Sequence, residues 1–193
     1  RTTPDVVAVH GALAEMHDAG AQAVAMEVSS HALEQGRVDE VVFDTAVFSN
    51  LTQDHLDYHG SMQAYFEAKA KLFRWPGLRQ AVINIDDVYG RALLDSLPIG
   101  LSLLRVSADG HPDADLCAED IRLGLDGMHF TLVLGVERQP VASSLLGRFN
   151  VDNLLGVAAT LFALGMAPAV VAETLSQLAP VDGRMNRLGG ESG

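Results

Sequence analysis

Two polar clusters follow apolar runs in the first third of the chain, and they contain the residue types best suited to catalysis. The apolar run 23–28 carries Glu27 and leads directly into the hydroxyl and imidazole groups of residues 29–31. A second cluster, residues 49–60, follows the apolar run 45–48. Parallel strands deliver their ligand-binding groups at their carboxyl ends, so we expect both clusters to face one crevice.

A lysine in the helix that we predict after Ser61 points toward the core. Lys69 lies within a helical apolar stripe that includes Tyr65 and Phe66, whereas Lys71 lies on the solvent side. A buried ammonium is costly unless it reaches solvent, pairs with an acid or loses its charge, and desolvation lowers its pKa. Two interpretations stay open: a lysine that extends past the core to solvent, or a neutral amine that reacts with carbon dioxide. The resulting carbamate would be an anionic metal ligand.

The histidines and the cysteine do not form a zinc motif. His55 and His59 have the i, i+4 spacing of a helical zinc pair, but Gly60 ends the segment and no further ligand motif accompanies them. Cys117 is the only cysteine in the sequence. This excludes a disulfide framework and multi-cysteine zinc sites, and it favours a reducing compartment.

The composition indicates a globular protein rather than a binder of polyanions. The chain has 193 residues, 48% of them hydrophobic, which is enough for one sizeable domain or slightly more. A net charge of -12 argues against nucleic acids and anionic membranes as partners. No segment approaches the roughly 20 apolar residues of a membrane span, and the first residues do not resemble a signal peptide. We therefore expect a cytoplasmic protein.

The elements that must position these residues alternate between helix and strand, which predicts an α/β fold with a mostly parallel sheet flanked by helices. Thr3 as N-cap and Pro4 at the first helical position predict a helix that ends at Gly20. The later patterns predict strands at 23–28, 46–49 and 81–85 and helices at 61–74, 88–97, 153–164 and 167–178.

The second half of the chain contains a strong hairpin signal. Asp126 and Gly127 form a two-residue turn motif, with extended sequence at 128–134 and 141–145. We therefore expect a small antiparallel β appendage to the parallel sheet. The Gly-rich tail 184–193 has the composition of a linker.

Motifs spread over the chain, taken together and in order, resemble the Mur ligases. They are residues 26–31 (Met-Glu-Val-Ser-Ser-His), 50–60 (Asn-Leu-Thr-Gln-Asp-His-Leu-Asp-Tyr-His-Gly), 68–69 (Ala-Lys), 149–154 (Phe-Asn-Val-Asp-Asn-Leu) and 183–185 (Gly-Arg-Met). The resemblance implies a P-loop-type central ATPase domain over residues 1–183 and a linker, 184–193, toward a C-terminal domain. The family's phosphate loop, G-x-x-G-K-[ST], is absent from the sequence. We therefore expect this chain alone not to hydrolyse ATP, and unpaired sheet edges to make it prone to aggregate.

The resemblance also implies an activity. Within the family, the chain is similar to the enzyme that adds the third amino acid to UDP-N-acetylmuramoyl-L-alanyl-D-glutamate in peptidoglycan precursor synthesis. ATP would phosphorylate the terminal carboxylate, and the amine of the incoming amino acid would attack the acyl phosphate, with Mg²⁺ drawing the anions together. The added amino acid, diaminopimelate or lysine, stays open, and the full-length enzyme is expected to be a monomer.

Carried over residue by residue, the resemblance assigns the site. Glu27 would hold Mg²⁺ between the ATP phosphates, and His55 with carbamylated Lys69 would hold a second Mg²⁺. The positions that match the binding site for the UDP-linked substrate are Thr2, Thr3, Ser29, Gln35 and Arg37. Those that match the ATP site are Asn150 and Asn153, at the adenine, and Arg184, near the phosphates. Helix capping is the alternative for the two threonines and the two asparagines, and Asn84, Asp86 and Asp87 match the family pattern without an assigned role.

Two other functions remain open from the sequence. A folylpolyglutamate synthetase-like ligase shares the architecture and the modified lysine, although the joined motifs at 27–31 and 54–59 fit the muramoyl enzymes better. A non-catalytic remnant that binds a nucleotide sugar is the other alternative. The retention of Glu27, His55 and Lys69 together argues against such decay.

Overall fold

The computed structural model describes residues 2–179, so Arg184 and the predicted linker lie outside the described residues. Its centre is one six-stranded sheet in which the strands follow chain order. The strands are β1 (Thr45–Phe48), β2 (Gln80–Asn84), β3 (Ser102–Ser107), β4 (Leu116–Gly124), β5 (Gly127–Leu134) and β6 (Glu137–Ser143). The first four strands pair in parallel, and β4 to β6 pair antiparallel. This confirms the predicted mostly parallel sheet and its antiparallel addition, which continues the same sheet.

Seven α-helices accompany the sheet within the described residues. They are α1 (Val6–Asp18), α2 (Ser30–Glu34), α3 (Leu56–His59), α4 (Met62–Ala70), α5 (Val88–Leu94), α6 (Phe149–Ala163) and α7 (Pro168–Gln177), and a 3-10 turn over Lys71–Arg74 extends α4. Between residues 2 and 179, no helix combines the length and apolar character needed to cross a membrane.

The core lies on both faces of the sheet. One face packs against α6 and α7 around Leu155, and the other packs against α4 and α5 around Phe66. In β2, Val82 belongs to the first cluster and Ile83 to the second, because successive side chains of a strand point to opposite faces. The two covered faces leave the strand ends as the places where polar groups can gather.

Local sequence explains several element boundaries. Ser61 caps α4 by accepting the Ala64 amide hydrogen at 3.1 Å, as the sequence predicts. Asp87 caps α5 by accepting the amide hydrogens of Tyr89 and Gly90. A two-residue turn at Leu125 and Asp126 joins β4 to β5, which confirms the predicted hairpin. Gly127 is the first residue of β5 and pairs with Gly124, so the turn lies one residue earlier than predicted.

The predicted start of α1 is wrong by two residues. Asp5, not Thr3, is the N-cap, and its carboxylate accepts the Ala8 amide hydrogen at 3.0 Å. The Thr3 hydroxyl is engaged elsewhere, because it donates to the Glu27 carbonyl and accepts from the Ser29 amide. Pro4 consequently precedes the cap instead of opening the helix.

The predicted buried strand at 23–28 is not formed. Most of this segment is exposed, and within residues 2–179 it joins no sheet. A strand requires a neighbour for its backbone hydrogen bonds, and β1, the edge strand, pairs only with β2. The segment is attached to the fold at its end through Thr3.

Other boundaries shift by a few residues. Helix α5 ends at Leu94, three residues before the predicted end, and α6 begins at Phe149, four residues before the predicted start. Strand β6 lies earlier than predicted, and β3 had no counterpart among the predicted strands. None of these shifts changes the fold class.

Candidate functional site

A cleft of about 620 Å³ lies at the carboxyl ends of the parallel strands. Loops after β1, β2 and β3 meet the first turn of α6 there, as the crevice rule for parallel sheets predicts. Its lining consists of Glu27, Ser49, Asn50, Asn84, Asp86, Asp87, Asp109, Arg148, Phe149, Asp152 and Asn153. The cleft thus brings two predicted site residues, Glu27 and Asn153, to one place.

Two acids after β2 build the floor of this cleft. The Asp86 carboxylate accepts hydrogen bonds from the Ser107 hydroxyl at 2.6 Å and from the amides of Ala108 and Asp109 at 2.7 and 3.1 Å. Asp87, besides capping α5, accepts the Leu51 amide at 3.1 Å. Their side chains therefore join the ends of β1, β2 and β3, a structural role that the sequence left unassigned.

Arg148 and Asp152 are cleft residues that the sequence interpretation missed. The Arg148 guanidinium donates to the Ala108 carbonyl at 2.8 Å and to Asp109 at 2.6 Å, and it lies 3.5 Å from Asp152. Burial raises the pKa of the Asp152 carboxyl, Arg148 opposes this shift, and the negative charges of Asp86 and Asp109 reinforce it. The i, i+4 spacing of arginine and aspartate at a helix start was the available signal.

The two asparagines predicted at the adenine lie in the first turns of α6. The Asn150 amide donates to the Leu146 carbonyl at 2.7 Å, and the Asn153 amide donates to the Asn150 side chain at 3.1 Å. The N-cap is Arg148, so the capping alternative for these asparagines is wrong. Their adenine contact stays a prediction, and Arg184 lies outside the described residues.

Lys69 points inward, as its place in the stripe of α4 predicts. Its ammonium nitrogen lies 5.3 Å from the centroid of the Tyr65 ring. Burial lowers the pKa of Lys69, and the negative charges of Glu27 and Asp54 oppose that shift. Desolvation therefore outweighs the nearby acids, which favours the neutral amine.

Tyr65 belongs to a group of five aromatic rings in mutual contact, which we call the ring cluster: His31, His55, Tyr58, His59 and Tyr65. His31 lies at the centre, with ring centroids 5.0 Å from His55, 4.0 Å from Tyr58 and 5.3 Å from His59. His55 has a left-handed backbone with φ of 54°, and its side chain is 47% exposed. A ligand can therefore reach His55, and its strained backbone is typical of functional positions.

His59 is the buried member of the ring cluster. Its side chain is 1% exposed, and its ring stacks on Tyr65 with a centroid distance of 4.9 Å. Burial lowers the pKa of His59, the Glu34 carboxylate opposes the shift, and positive charge at His31, His55 and Lys69 adds to it.

The residues predicted to bind the UDP-linked substrate form a second connected group. Gln35 accepts from the Arg37 guanidinium at 3.0 Å, and its amide donates to the Tyr58 hydroxyl at 3.2 Å. Arg37 also donates to the Thr3 carbonyl at 3.0 Å. Polar side chains on three segments are thus held together beside the ring cluster.

The remaining predicted substrate contacts differ in accessibility. Thr2 is exposed, whereas Thr3 is buried with its hydroxyl engaged by the backbone of residues 27–29. Ser29 caps α2 by accepting the Ala32 amide at 3.2 Å. Thr3 therefore acts on the site by holding Glu27 and Ser29 in place, and direct substrate contacts of these residues stay predictions.

The donor set suits a divalent cation only if Lys69 is modified. Over residues 2–179, no group of at least three histidine, cysteine, aspartate or glutamate side chains is arranged to hold a metal ion. Neither Glu27 nor His55 belongs to such a group. A carbamate on Lys69 would give His55 a partner with carboxylate-like oxygens, the ligands that Mg²⁺ prefers.

Comparison with known proteins identifies the family. The Mur ligase middle domain matches residues 1–161 of the chain. The chain belongs to this family. The matched residues of this Mur ligase middle domain include every predicted site residue except Arg184, and the resemblance inferred from the motifs is confirmed.

Curated relatives of this Mur ligase middle domain include diaminopimelate ligases. It is 58% identical over 192 residues to UDP-N-acetylmuramoyl-L-alanyl-D-glutamate--2,6-diaminopimelate ligase of Xanthomonas campestris, covering 100% of this chain and 39% of the relative. The ligase of that name from Ralstonia nicotianae is 48% identical over 198 residues, and the match covers 100% of this chain and 38% of that ligase. The chain therefore spans well under half the length of these relatives.

Solved structures support the same fold. The solved structure of an enzyme with the same name as these relatives is 35% identical in sequence to this chain and matches it with a TM-score of 0.90. The match covers 98% of this chain and 39% of the chain in that structure. A pseudomurein peptide ligase type C from Methanothermus fervidus is 18% identical with a TM-score of 0.68, and the match covers 82% of this chain and 38% of that one. The second likeness concerns the fold alone.

Proposed function

We propose that the chain is the central part of an ATP-dependent ligase that joins 2,6-diaminopimelate to UDP-N-acetylmuramoyl-L-alanyl-D-glutamate in the cytoplasm. The observation that carries this proposal is the position of Glu27, which lines the cleft and is close enough to Lys69 to influence its pKa. The names of the relatives support diaminopimelate over lysine. Residues 1–183 would form the central domain and 184–193 the linker to the domain that binds the amino acid.

The reaction requires an activated carboxylate. ATP transfers its terminal phosphoryl group to the substrate carboxylate, giving an acyl phosphate and ADP. The diaminopimelate amine then attacks the acyl carbon, phosphate leaves, and the amine loses a proton as the amide forms. The cleft would bind ATP with its base near Asn150 and Asn153, and Arg184 would bind its phosphates.

The charge of the cleft explains why a cation is needed. Its lining contains five carboxylates and one arginine, Arg148, so it repels the phosphates of unaccompanied ATP. When bound, Mg²⁺ supplies the positive charge that lets anionic phosphate and anionic carboxylate approach each other. Glu27 would hold one Mg²⁺, and His55 with carbamylated Lys69 would hold the second.

The environment of Lys69 supports its carbamylation. The neutral amine attacks carbon dioxide and loses a proton, which leaves a carbamate anion where an ammonium stood. Burial favours the neutral amine by lowering the pKa of Lys69. The modification also removes the cost of a buried cation, because the anionic product would be paired with a metal ion.

The UDP-linked substrate would bind beside the ring cluster. Thr2, Ser29, Gln35 and Arg37 present hydroxyl, amide and guanidinium groups suited to its carboxylate and sugar oxygens. Thr3 belongs to the same site and would act through the backbone that it fixes. Because the Gln35 amide donates to the Tyr58 hydroxyl, substrate binding at Gln35 would directly affect the position of Tyr58 in the ring cluster.

The test is the ligation activity of the full-length enzyme carrying Lys69→Ala. We expect turnover to fall by at least about a hundredfold, with partial recovery in acetate, because a free carboxylate can replace the carbamate. The matched control is Lys71→Ala, since Lys71 is the neighbouring lysine and its half-exposed side chain pairs with Glu34. Full turnover of Lys69→Ala without added carboxylate would overturn the carbamate mechanism.

The same assay separates the alternative functions. Diaminopimelate, lysine and glutamate are supplied in turn with the UDP-linked dipeptide or with a folate acceptor. Product with diaminopimelate and the UDP-linked acceptor alone supports the proposal. Product with folate and glutamate would favour the folylpolyglutamate alternative, and binding of the UDP-linked acceptor without any product would favour the non-catalytic remnant.

A further inference from the structure

We propose that His59 is a positioning residue of this site, which holds the Tyr65 ring in the orientation that supports Lys69 and His55. The inference rests on the proposed function, since it concerns the same metal-binding side chains. His59 has no assigned role in the reaction, yet its side chain is 1% exposed. A fully buried polar ring beside a reactive lysine requires an explanation.

The contacts of His59 fix its ring on both nitrogen sides. Its Nε2 lies 2.8 Å from the Ser30 hydroxyl, and its Nδ1 faces the Glu34 carboxylate at 3.6 Å. The negative charge of Glu34 favours the proton on Nδ1, so we assign Nε2 as the acceptor of the Ser30 hydroxyl hydrogen. Both partners lie on α2, which anchors the ring to the segment that follows Glu27.

The orientation of His59 is passed on through ring stacking. Its ring plane is inclined by 19° to that of Tyr65. The Lys69 ammonium lies 5.3 Å from the centroid of the Tyr65 ring. The centroid of the His55 ring lies 5.9 Å from the same Tyr65 centroid. Tyr65 therefore contacts both predicted ligands of the second Mg²⁺, and His59 stacks on the same ring.

An alternative role for this group is nucleophilic catalysis. Ser30, His59 and Glu34 have the order of a serine hydrolase triad, with the hydroxyl at Nε2 and the acid at Nδ1. However, Ser30 is 1% exposed and His59 equally so, and no substrate carbonyl can reach a hydroxyl at that depth. The arrangement therefore supports neighbouring side chains and does not act as a nucleophile.

Two variants of the full-length enzyme separate the ring from its polar contacts. His59→Gln keeps a polar partner for Ser30 but removes the ring beneath Tyr65. The double variant His59→Phe with Ser30→Ala keeps an aromatic ring and removes the buried hydroxyl, while Glu34 keeps its partner Lys71 at 3.6 Å. The matched control is His17→Ala, because the His17 side chain is 87% exposed in α1.

We expect His59→Gln to lower kcat by about tenfold or more, since misplacement of catalytic groups by about 1 Å costs up to about a hundredfold. The KM values for ATP and the UDP-linked substrate should change by less than about threefold, because the His59 side chain is 1% exposed and out of reach of either substrate. The double variant should keep kcat within about threefold of the parent. Normal turnover of His59→Gln, or equal loss in both variants, would overturn the inference.

A second measurement distinguishes positioning from a general loss of structure. In the Lys69→Ala background with acetate, the carboxylate no longer depends on the lysine that Tyr65 supports. His59→Gln should therefore lower turnover less in this background than in the parent, whereas a purely structural defect would lower both equally. Equal losses would overturn the inference.

The outcomes also separate this inference from the proposed function. Full activity of Lys69→Ala without acetate would overturn the carbamate mechanism and the inference together. An inactive, acetate-rescued Lys69→Ala beside a His59→Gln enzyme that matches the His17→Ala control would overturn the inference alone.

Discussion

Two helical glycines should respond to alanine in opposite directions. Gly90 lies in α5 against the end of β2, and a Cβ placed there would lie 1.9 Å from the Asn84 carbonyl oxygen and 3.0 Å from its carbon. Gly11 lies in α1, where a Cβ would meet nothing within 4 Å. The same substitution therefore adds one methyl group to an occupied position and to an open one.

The magnitude follows from the distances. Relief of the contact at Gly90 requires backbone of α5 or of Asn84 to move by more than about 1 Å, because no side-chain rotation can help, and overpacking of this kind costs about 1–3 kcal/mol or more. At Gly11 the substitution should stabilise the protein by about 0.5–1 kcal/mol, because alanine restricts the unfolded chain. With about 2–4 °C per kcal/mol for a chain of this size, the two Tm values should differ by roughly 3–16 °C.

The assay is thermal denaturation followed by far-UV circular dichroism at one scan rate. In the full-length enzyme, Gly90→Ala should also weaken ATP binding, because the Asn84 side chain donates to the Ser49 carbonyl and accepts from the Asp86 amide in the cleft wall. A Tm for Gly90→Ala equal to or above that of Gly11→Ala would refute the close approach of α5 to β2.

Three further predictions concern charged side chains. Burial lowers the pKa of the unmodified Lys69 from its usual 10.5, so in buffer free of carbon dioxide Lys69→Met should raise the Tm at neutral pH, and this stabilising effect should shrink as the pH rises from that lowered pKa toward the unfolded value; the same variant should abolish ligation. Asp86→Ala removes the acceptor of three hydrogen bonds and should cost about 3 kcal/mol in urea denaturation; an unchanged midpoint would contradict the anchoring role. Hydrogen bonds from Arg105 lower the pKa of Asp115, so this pair stabilises the fold fully above about pH 5 and loses its effect as pH falls through the lowered pKa. Asp115→Asn should flatten that acid limb of a Tm-against-pH profile.

The sequence was most informative where a few neighbouring residues decide the structure. Ser61 caps α4 because its side-chain oxygen can accept a hydrogen bond from a backbone amide in the first turn of the same helix. Lys69 was placed correctly because helical periodicity fixes the face of a side chain without reference to the rest of the chain. The hairpin between β4 and β5 follows from local sequence in the same way, although its turn lies one residue earlier than predicted.

The sequence was least informative where distant segments compete for one group. Thr3 has the features of an N-cap, yet hydrogen bonds to residues 27–29 take its hydroxyl, and Asp5 caps α1 instead. The acidic wall of the cleft is only partly predictable from spacing, because Arg148 and Asp152 form a local i, i+4 pair whereas Asp109 reaches Arg148 from a separate segment. Such choices depend on the folded arrangement as a whole.

His59 illustrates how one spacing supports two interpretations. At i, i+4 from His55 it has the spacing of a zinc pair, but in the structure the two side chains occupy different environments. His55 follows Asp54 with a left-handed backbone and is accessible, whereas His59 points inward to Ser30. The left-handed residue at the start of α3 breaks the helical geometry on which the i, i+4 interpretation depends.

One short segment joins the two halves of the site. Glu27 lines the cleft, while Ser30, three residues later, holds His59 within the ring cluster. The Thr3 hydroxyl bridges the Glu27 carbonyl and the Ser29 amide, and Arg37 binds the Thr3 carbonyl. Because this segment joins no sheet within residues 2–179, these hydrogen bonds and the short helix α2 fix its position. The contacts that organise the predicted substrate site therefore also hold the backbone of Glu27, and we expect occupation of that site to alter the geometry of the cleft.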